Sequence, residues 1–293
     1  MSVVERALAK AAALRGKSNG APRQQRSMSG KSSAVPVANN SGAGVEVDST
    51  ALRALGLIPT ADMEHRIHEE LRLIKRPLLQ NAEEGRSTTS GNLIMVASAL
   101  PGAGKTFLSL NLAISMASEL DWNVLLIDAD MGRATLSRAL GLRDAPGLAG
   151  LLDQERASLN DFVFKTSLPR LHVLPAGGTR PQFIEVLGSQ RMRNFVSSLG
   201  DSSQRLIVLF DSPPLLLTSE ARVLASHVGQ VVLVVEAGVT PRRSVLAALE
   251  VLDPSKAINL VLNKNRQIMA FGDEYGGYEP YGYGHQPEQR IEK

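Results

Sequence analysis

The sequence predicts an α/β fold built on a doubly wound, mostly parallel sheet, and three observations predict it. Short apolar runs at residues 93–97, 124–127, 206–210, 231–235 and 258–262 are separated by stretches of helical periodicity, the alternation that crossover connections require. The second and third runs end in acids, Asp128-Ala129-Asp130 and Asp211-Ser212-Pro213-Pro214, and open α/β sheets bind ligands beyond the carboxyl ends of their strands. The first run passes into a loop with Pro101, Gly102 and Gly104 and then into an amphipathic segment opening at Lys105, so it reads strand, loop, helix.

That loop, A-L-P-G-A-G-K-T over residues 99–106, fits G-x-x-x-x-G-K-[ST] except that Ala99 replaces the first glycine. Glycines let consecutive backbone N–H groups curl round an anion with no Cβ in the way, and the following helix turns its positive end to the same anion. Pro101, Gly102, Ala103, Gly104, Lys105, Thr106 and Phe107 are therefore the candidate nucleotide-binding set. Lys105 is expected to reach the β- and γ-phosphates and the Thr106 hydroxyl to bind Mg²⁺.

Taken in order, Ser2 and Glu5 have capping-box spacing, and Val4, Ala7, Leu8, Ala11 and Leu14 fall on one helical face. An amphipathic helix is expected within residues 1–15, suited to docking on a partner or a lipid surface. Residues 16–47, rich in Ser, Gly, Asn, Pro and Ala, are expected to form a disordered linker before a domain at 48–265. Residues 48–56 predict a capped helical turn, and 61–82 a longer helix with Ile67, Leu71, Ile74 and Leu78 on one face; Pro77 is expected to kink or end it. On that helix Glu69, Arg72 and Lys75 recur every third residue and form a candidate polar interface strip. Helices are also expected at 147–165, 181–199, 218–227 and 241–252, and a strand at 171–174.

Asp128, Asp130 and Asp211 are the candidate catalytic acids. Strand residues alternate in direction, so at most one of Asp128 and Asp130 points straight at the phosphates if the strand continues. Asp211, closing an apolar strand downstream of the glycine loop, has the form of the acid that holds Mg²⁺ in nucleotide hydrolases. Asn263, just past the last strand, supplies an amide able to read an adenine edge.

Composition narrows the chemistry. Cysteine is absent, which excludes disulfides, thiolate zinc sites and cysteine nucleophiles. The five histidines are scattered, and His65 with His68 lack a third ligand for a metal. The formal charge of +3 is uneven: residues 1–44 hold seven basic residues and one acid, which leaves the other 249 at −3. The basicity therefore belongs to the leader and does not argue for nucleic acid. No apolar run approaches the roughly 18 residues of a membrane span, and the first residues lack the apolar core of a secretory signal. A cytoplasmic protein is expected, reaching a membrane only through a partner or the N-terminal helix.

All four tyrosines, Tyr275, Tyr278, Tyr281 and Tyr283, lie in the Gly-rich, polar stretch 266–293, which is expected to be flexible. A globular core normally buries some of its tyrosine, so their concentration in a segment unable to pack points to phosphoacceptors.

A-L-P-G-A-G-K-T, L-L-I-D-A-D and I-V-L-F-D-S-P-P, together with the terminal tyrosine cluster, resemble the bacterial tyrosine autokinases of polysaccharide export. The nearest likeness is to the exopolysaccharide autokinases that accompany exosortase systems. The resemblance extends over nearly the whole chain and is specific over residues 61–264. It implies a P-loop NTPase of MinD/ParA-like fold that uses ATP and Mg²⁺, with Lys105 and Thr106 on phosphate and metal, Asp128 and Asp130 as the Walker A′ pair and Asp211 as the Walker B acid. It further implies a ring-forming homo-oligomer assembled through Glu69, Arg72 and Lys75, with one subunit's tail entering the next subunit's site. A transmembrane polysaccharide co-polymerase would hold the chain at the inner membrane. Three departures stand out: Lys75 occupies an arginine position, Ala99 replaces a glycine, and the Walker A′ arginine is displaced to Arg133, which receives no role. The alternative is a positioning ATPase of the MinD/ParA type. Its loop carries a lysine where Leu100 stands here, so Leu100 and the tyrosine tail favour the kinase.

Overall fold

The five apolar runs become β1 (Leu93–Ser98), β2 (Asn123–Asp128), β5 (Leu206–Asp211), β6 (Gln230–Glu236) and β7 (Ala257–Asn263), the strand expected at 171–174 is β4 (Leu171–Leu174), and an unexpected strand, β3 (Phe164–Lys165), precedes it. In the computed structural model, which describes residues 44–84, 90–154, 157–178, 189–200 and 205–265, they form one sheet in the order β3-β4-β2-β5-β1-β6-β7. Every pairing is parallel except that of β3 with β4. β1, between β5 and β6, is buried at every position, as is β5. A central parallel strand is covered on both faces, which is why these segments read as unbroken apolar runs.

Side-chain alternation divides the core in two. Leu93, Met95, Val208, Phe210, Val231 and Leu233 face one side, and Ile94, Val96, Val124, Leu126, Ile207 and Leu209 the other. The second side is covered by α1 (Ser49–Ala54), α2 (Glu64–Glu84), α3 (Lys105–Ala117) and α4 (Thr135–Ala139); the first by α5 (Leu148–Asp153), α6 (Gln190–Gly200), α7 (Ser219–His227) and α8 (Arg242–Glu250). Asp48 caps α1, its carboxylate accepting from the backbone of Thr50 and Ala51. α2 runs on past Pro77 to Glu84. The proline removes the helical partner of the Leu73 carbonyl, but Leu73 is 73% exposed, so water can take the place of that donor. Among the described residues no helix is long and apolar enough to cross a membrane.

The structure departs from the sequence reading in two places. The helix expected over 147–165 stops at Asp153, and a 3-10 turn at Leu159–Asp161 leads into β3. The chain folds back there because Phe162 packs over Gly150, where a Cβ would lie 2.9 Å from its ring. Residues 44–47, expected in the linker, are already packed: Val45 pairs with the 165–167 segment and Val47 is buried. Of the helix expected at 181–199, the part from Gln190 is present, and 181–188 lie outside the described residues. The helix expected within 1–15 and the tail 266–293 also lie outside them.

Candidate active site

The site is assembled at the carboxyl ends of β1, β2 and β5, the three adjacent central strands. Between β1 and α3 the loop turns through Gly102 at φ +88° and Gly104 at φ +93°, left-handed conformations that favour glycine. Ala99 is packed into the core, so the methyl that replaces a motif glycine is absorbed there. Pro101 and Gly102 are exposed, Ala103 is buried, and Thr106 and Phe107 are half-buried in the first turn of α3.

Lys105 is buried, and its ammonium donates to Ser98 Oγ at 3.1 Å while that hydroxyl donates to the Leu100 carbonyl at 2.6 Å. Burial pushes its pKa down, and the carboxylates of Asp211 and Asp130 oppose that shift. Asp211 lies at the end of β5, fully enclosed, and accepts hydrogen bonds from Ser109 Oγ at 3.1 Å and from the Thr106 side chain. Burial, and then the neighbouring Asp128 carboxylate, push its pKa up to about 7. Asp128 stands opposite Asp211 in the β2–β5 register. Its Oδ2 accepts from Ser137 N at 2.8 Å and Ser137 Oγ at 2.7 Å, and burial pushes its pKa up to about 6.

β2 ends at Asp128, so the alternation expected for Asp130 does not apply. The backbone turns instead, with Ala134 at φ +44° and Asp130 Oδ1 accepting from Arg133 N at 3.3 Å. Asp130 stays within electrostatic reach of Lys105, and burial again is the main reason its pKa is raised. Both carboxylates of the pair therefore belong to one site. Ser98, Ser109 and Ser137, none of them singled out in the sequence, help to hold Lys105, Asp211 and Asp128, with Thr106 joining Ser109 on Asp211.

Asp128 Oδ1 is buried with no hydrogen-bond partner among the described residues. An orphaned carboxylate oxygen beside a second buried carboxylate is a local excess of negative charge, and a divalent cation fits it. Among the described residues no group of three or more His, Asp or Glu is placed to hold a metal, so such an ion would need phosphate oxygens and water to complete its shell.

Asn263 ends β7 beside the loop, and its Nδ2 donates to the Ala103 carbonyl at 2.8 Å. A Cβ on Gly104 would lie 2.2 Å from that nitrogen. Gly104→Ala, which also meets an unfavourable φ, is expected to destabilise the fold by about 2 kcal/mol and to weaken nucleotide binding. Chemical denaturation and fluorescent-nucleotide titration check both, and unchanged affinity would contradict the cradle assignment. On α2, Glu69 and Arg72 are exposed and paired at 3.1 Å. Lys75 parts from them: it is buried, with its ammonium 2.6 Å from Glu119 and donating to the Ser115 carbonyl. The four tyrosines lie outside the described residues.

Residues 94–236 match the CobQ/CobB/MinD/ParA nucleotide binding domain. Tyrosine-protein kinase YwqD of Bacillus subtilis is 31% identical over 185 residues, 63% of this chain and 76% of that protein. Tyrosine-protein kinase CpsD of Streptococcus agalactiae is 31% identical over 198 residues, 66% of this chain and 83% of that one. Among solved structures, the kinase domain of the Escherichia coli tyrosine kinase ETK superposes with a TM-score of 0.57 at 26% identity, covering 74% of this chain and 80% of that chain. With Lys105, Asp128, Asp130 and Asp211 gathered at one strand-end site, the chain belongs to the bacterial tyrosine-protein kinases built on this P-loop nucleotide-binding domain.

Proposed function

We propose that the protein is an ATP-dependent tyrosine autokinase that phosphorylates Tyr275, Tyr278, Tyr281 and Tyr283, in trans within a homo-oligomer. The observation that carries this is the site itself: one buried lysine and three carboxylates around a glycine loop, in a chain whose tyrosines all sit in one C-terminal segment. Phosphoryl transfer asks chiefly for positioning and charge neutralisation. Lys105 and the amides of residues 102–106 hold the ATP phosphates. Thr106, Asp211 and Asp128 form the side of the site that would hold Mg²⁺, which when bound neutralises the phosphate oxygens.

The phenol oxygen attacks the γ-phosphorus, the bond to the β-phosphate oxygen breaks, and ADP leaves. Asp128 is suited to orient the phenol or take its proton, since Ser137 fixes one of its oxygens and the other has no hydrogen-bond partner among the described residues; that oxygen can serve the phenol only where Thr106 and Asp211 carry the Mg²⁺. Glu69 and Arg72 supply the exposed part of an oligomer interface, while Lys75 supports it from within the subunit.

By the same reading the chain regulates exopolysaccharide polymerisation and export, belongs to the exosortase-associated subgroup, and works at the cytoplasmic side of the inner membrane with a transmembrane co-polymerase. Residues 1–15 would serve as a docking helix, 16–47 as linker, 48–265 as kinase domain and 266–293 as acceptor tail. Leu100 weighs against a MinD/ParA-type positioning ATPase, because it packs against the core where those proteins carry a lysine. After incubation with Mg-ATP, mass spectrometry of tail peptides should find phosphate on these tyrosines. Nucleotide-driven dimerisation and hydrolysis without phosphotyrosine would reverse the choice.

A further inference from the structure

β6 and β7 end side by side, with Glu236 opposite Asn263 and Ala237 N donating to the Asn263 carbonyl. The next residue, Lys264, adopts φ +59°, a left-handed conformation uncommon outside glycine, and this turn carries its side chain back over the nucleotide loop. Its ammonium donates to the Gly102 carbonyl at 2.7 Å and sits 3.0 Å from Glu236 Oε1. Asn263 takes the following carbonyl, that of Ala103. Glu236 is itself fixed: its N–H donates to Thr240 Oγ1 and its carbonyl accepts from Thr240 N, each at 3.0 Å. Its other carboxylate oxygen lies against Gly102, 3.7 Å from where a Cβ would be.

Two consecutive loop carbonyls are thus held by two consecutive residues from a distant part of the chain. In a trans peptide the C=O and the next N–H point in opposite directions, so holding the Gly102 and Ala103 carbonyls fixes the Ala103 and Gly104 N–H groups away from β7. Those are the amides a phosphate cradle needs. We propose that Lys264, held in place by Glu236, is a positioning residue of the nucleotide site: it acts by keeping the Gly102 carbonyl turned out of the cradle, without contacting the phosphates. The proposal rests on the reading of residues 99–106 as a nucleotide loop.

The test uses the full chain and ADP binding by calorimetry, with kcat and KM for ATP. Lys264→Met is expected to weaken ADP about tenfold, the loss of a charge-assisted hydrogen bond, and to raise KM for ATP similarly while leaving kcat within about twofold. Lys264→Arg should recover most of the loss. Glu236→Gln should also weaken ADP, and the double variant should bind no worse than Lys264→Met alone. Tighter binding by Glu236→Gln would overturn the proposal, since a freed ammonium would then be helping by direct contact with phosphate. Wild-type affinity in Lys264→Met, or losses that multiply in the double variant, would overturn it as well. Failure of the unaltered chain to bind ADP would instead remove the nucleotide site, and the proposal with it.

Discussion

Lys105→Met is expected to lower autophosphorylation by about 10²- to 10³-fold, the usual loss when one preorganised charge is taken from a transition state. The ammonium is the buried cation of the site, held by Ser98 and facing the carboxylates of Asp211 and Asp130. Burial makes its charge worth more to a phosphate than it would be in water. Methionine fills similar volume without the charge, so at pH 5, where burial keeps Asp211 and Asp128 largely protonated, the apo variant should melt within a few degrees of wild type. That near-constancy separates a chemical loss from a folding defect. Tail phosphopeptides compared between the two chains give the readout, and label at the wild-type level would sink the assignment of Lys105.

The strand framework was legible because the physics that makes it is local. β1, β2 and β5 are buried on both faces, so their sequences are unbroken apolar runs, and their last residues include both deeply buried acids. Lys75 was legible in principle: Leu71, Lys75, Leu78 and Ala82 follow the spacing of one helical face, and all four are buried. Attending to the three-residue charge spacing placed it instead with Glu69 and Arg72. Ser137 was not legible. It stands nine residues from Asp128, beyond a turn made by a non-glycine residue in a left-handed conformation, and a serine shows no sign of its partner until the fold supplies one. The end of α5 was hidden for the same reason, since Phe162 reaches Gly150 only after the chain reverses.

Asp211→Asn is expected to abolish activity while stabilising the metal-free protein at alkaline pH, and the two effects share one cause. Folding encloses Asp211 and Asp128 next to each other and raises both from the ordinary value of 3.8, to about 7 and about 6. As pH rises from 4 to 7 the unfolded chain gives up these protons while the folded chain retains them, so stability falls across that window and levels off once both are ionised. By pH 8 both are ionised, and in EDTA the folded protein carries the whole of that penalty. Asparagine keeps an oxygen to accept from Ser109 and Thr106 and removes one of the two facing charges. The variant should therefore melt about 4–8 °C higher than wild type at pH 8, for roughly 2 kcal/mol regained, and differ little at pH 4. Mg-ADP should stabilise wild type more than the variant, because the charge that folding makes costly is the charge a cation would neutralise. Thermal melts at the two pH values, with and without Mg-ADP, read all three comparisons. A variant less stable than wild type in EDTA at pH 8 would show that Asp211 is enclosed for its hydrogen bonds to Ser109 and Thr106, with no strain between neighbouring carboxylates to relieve.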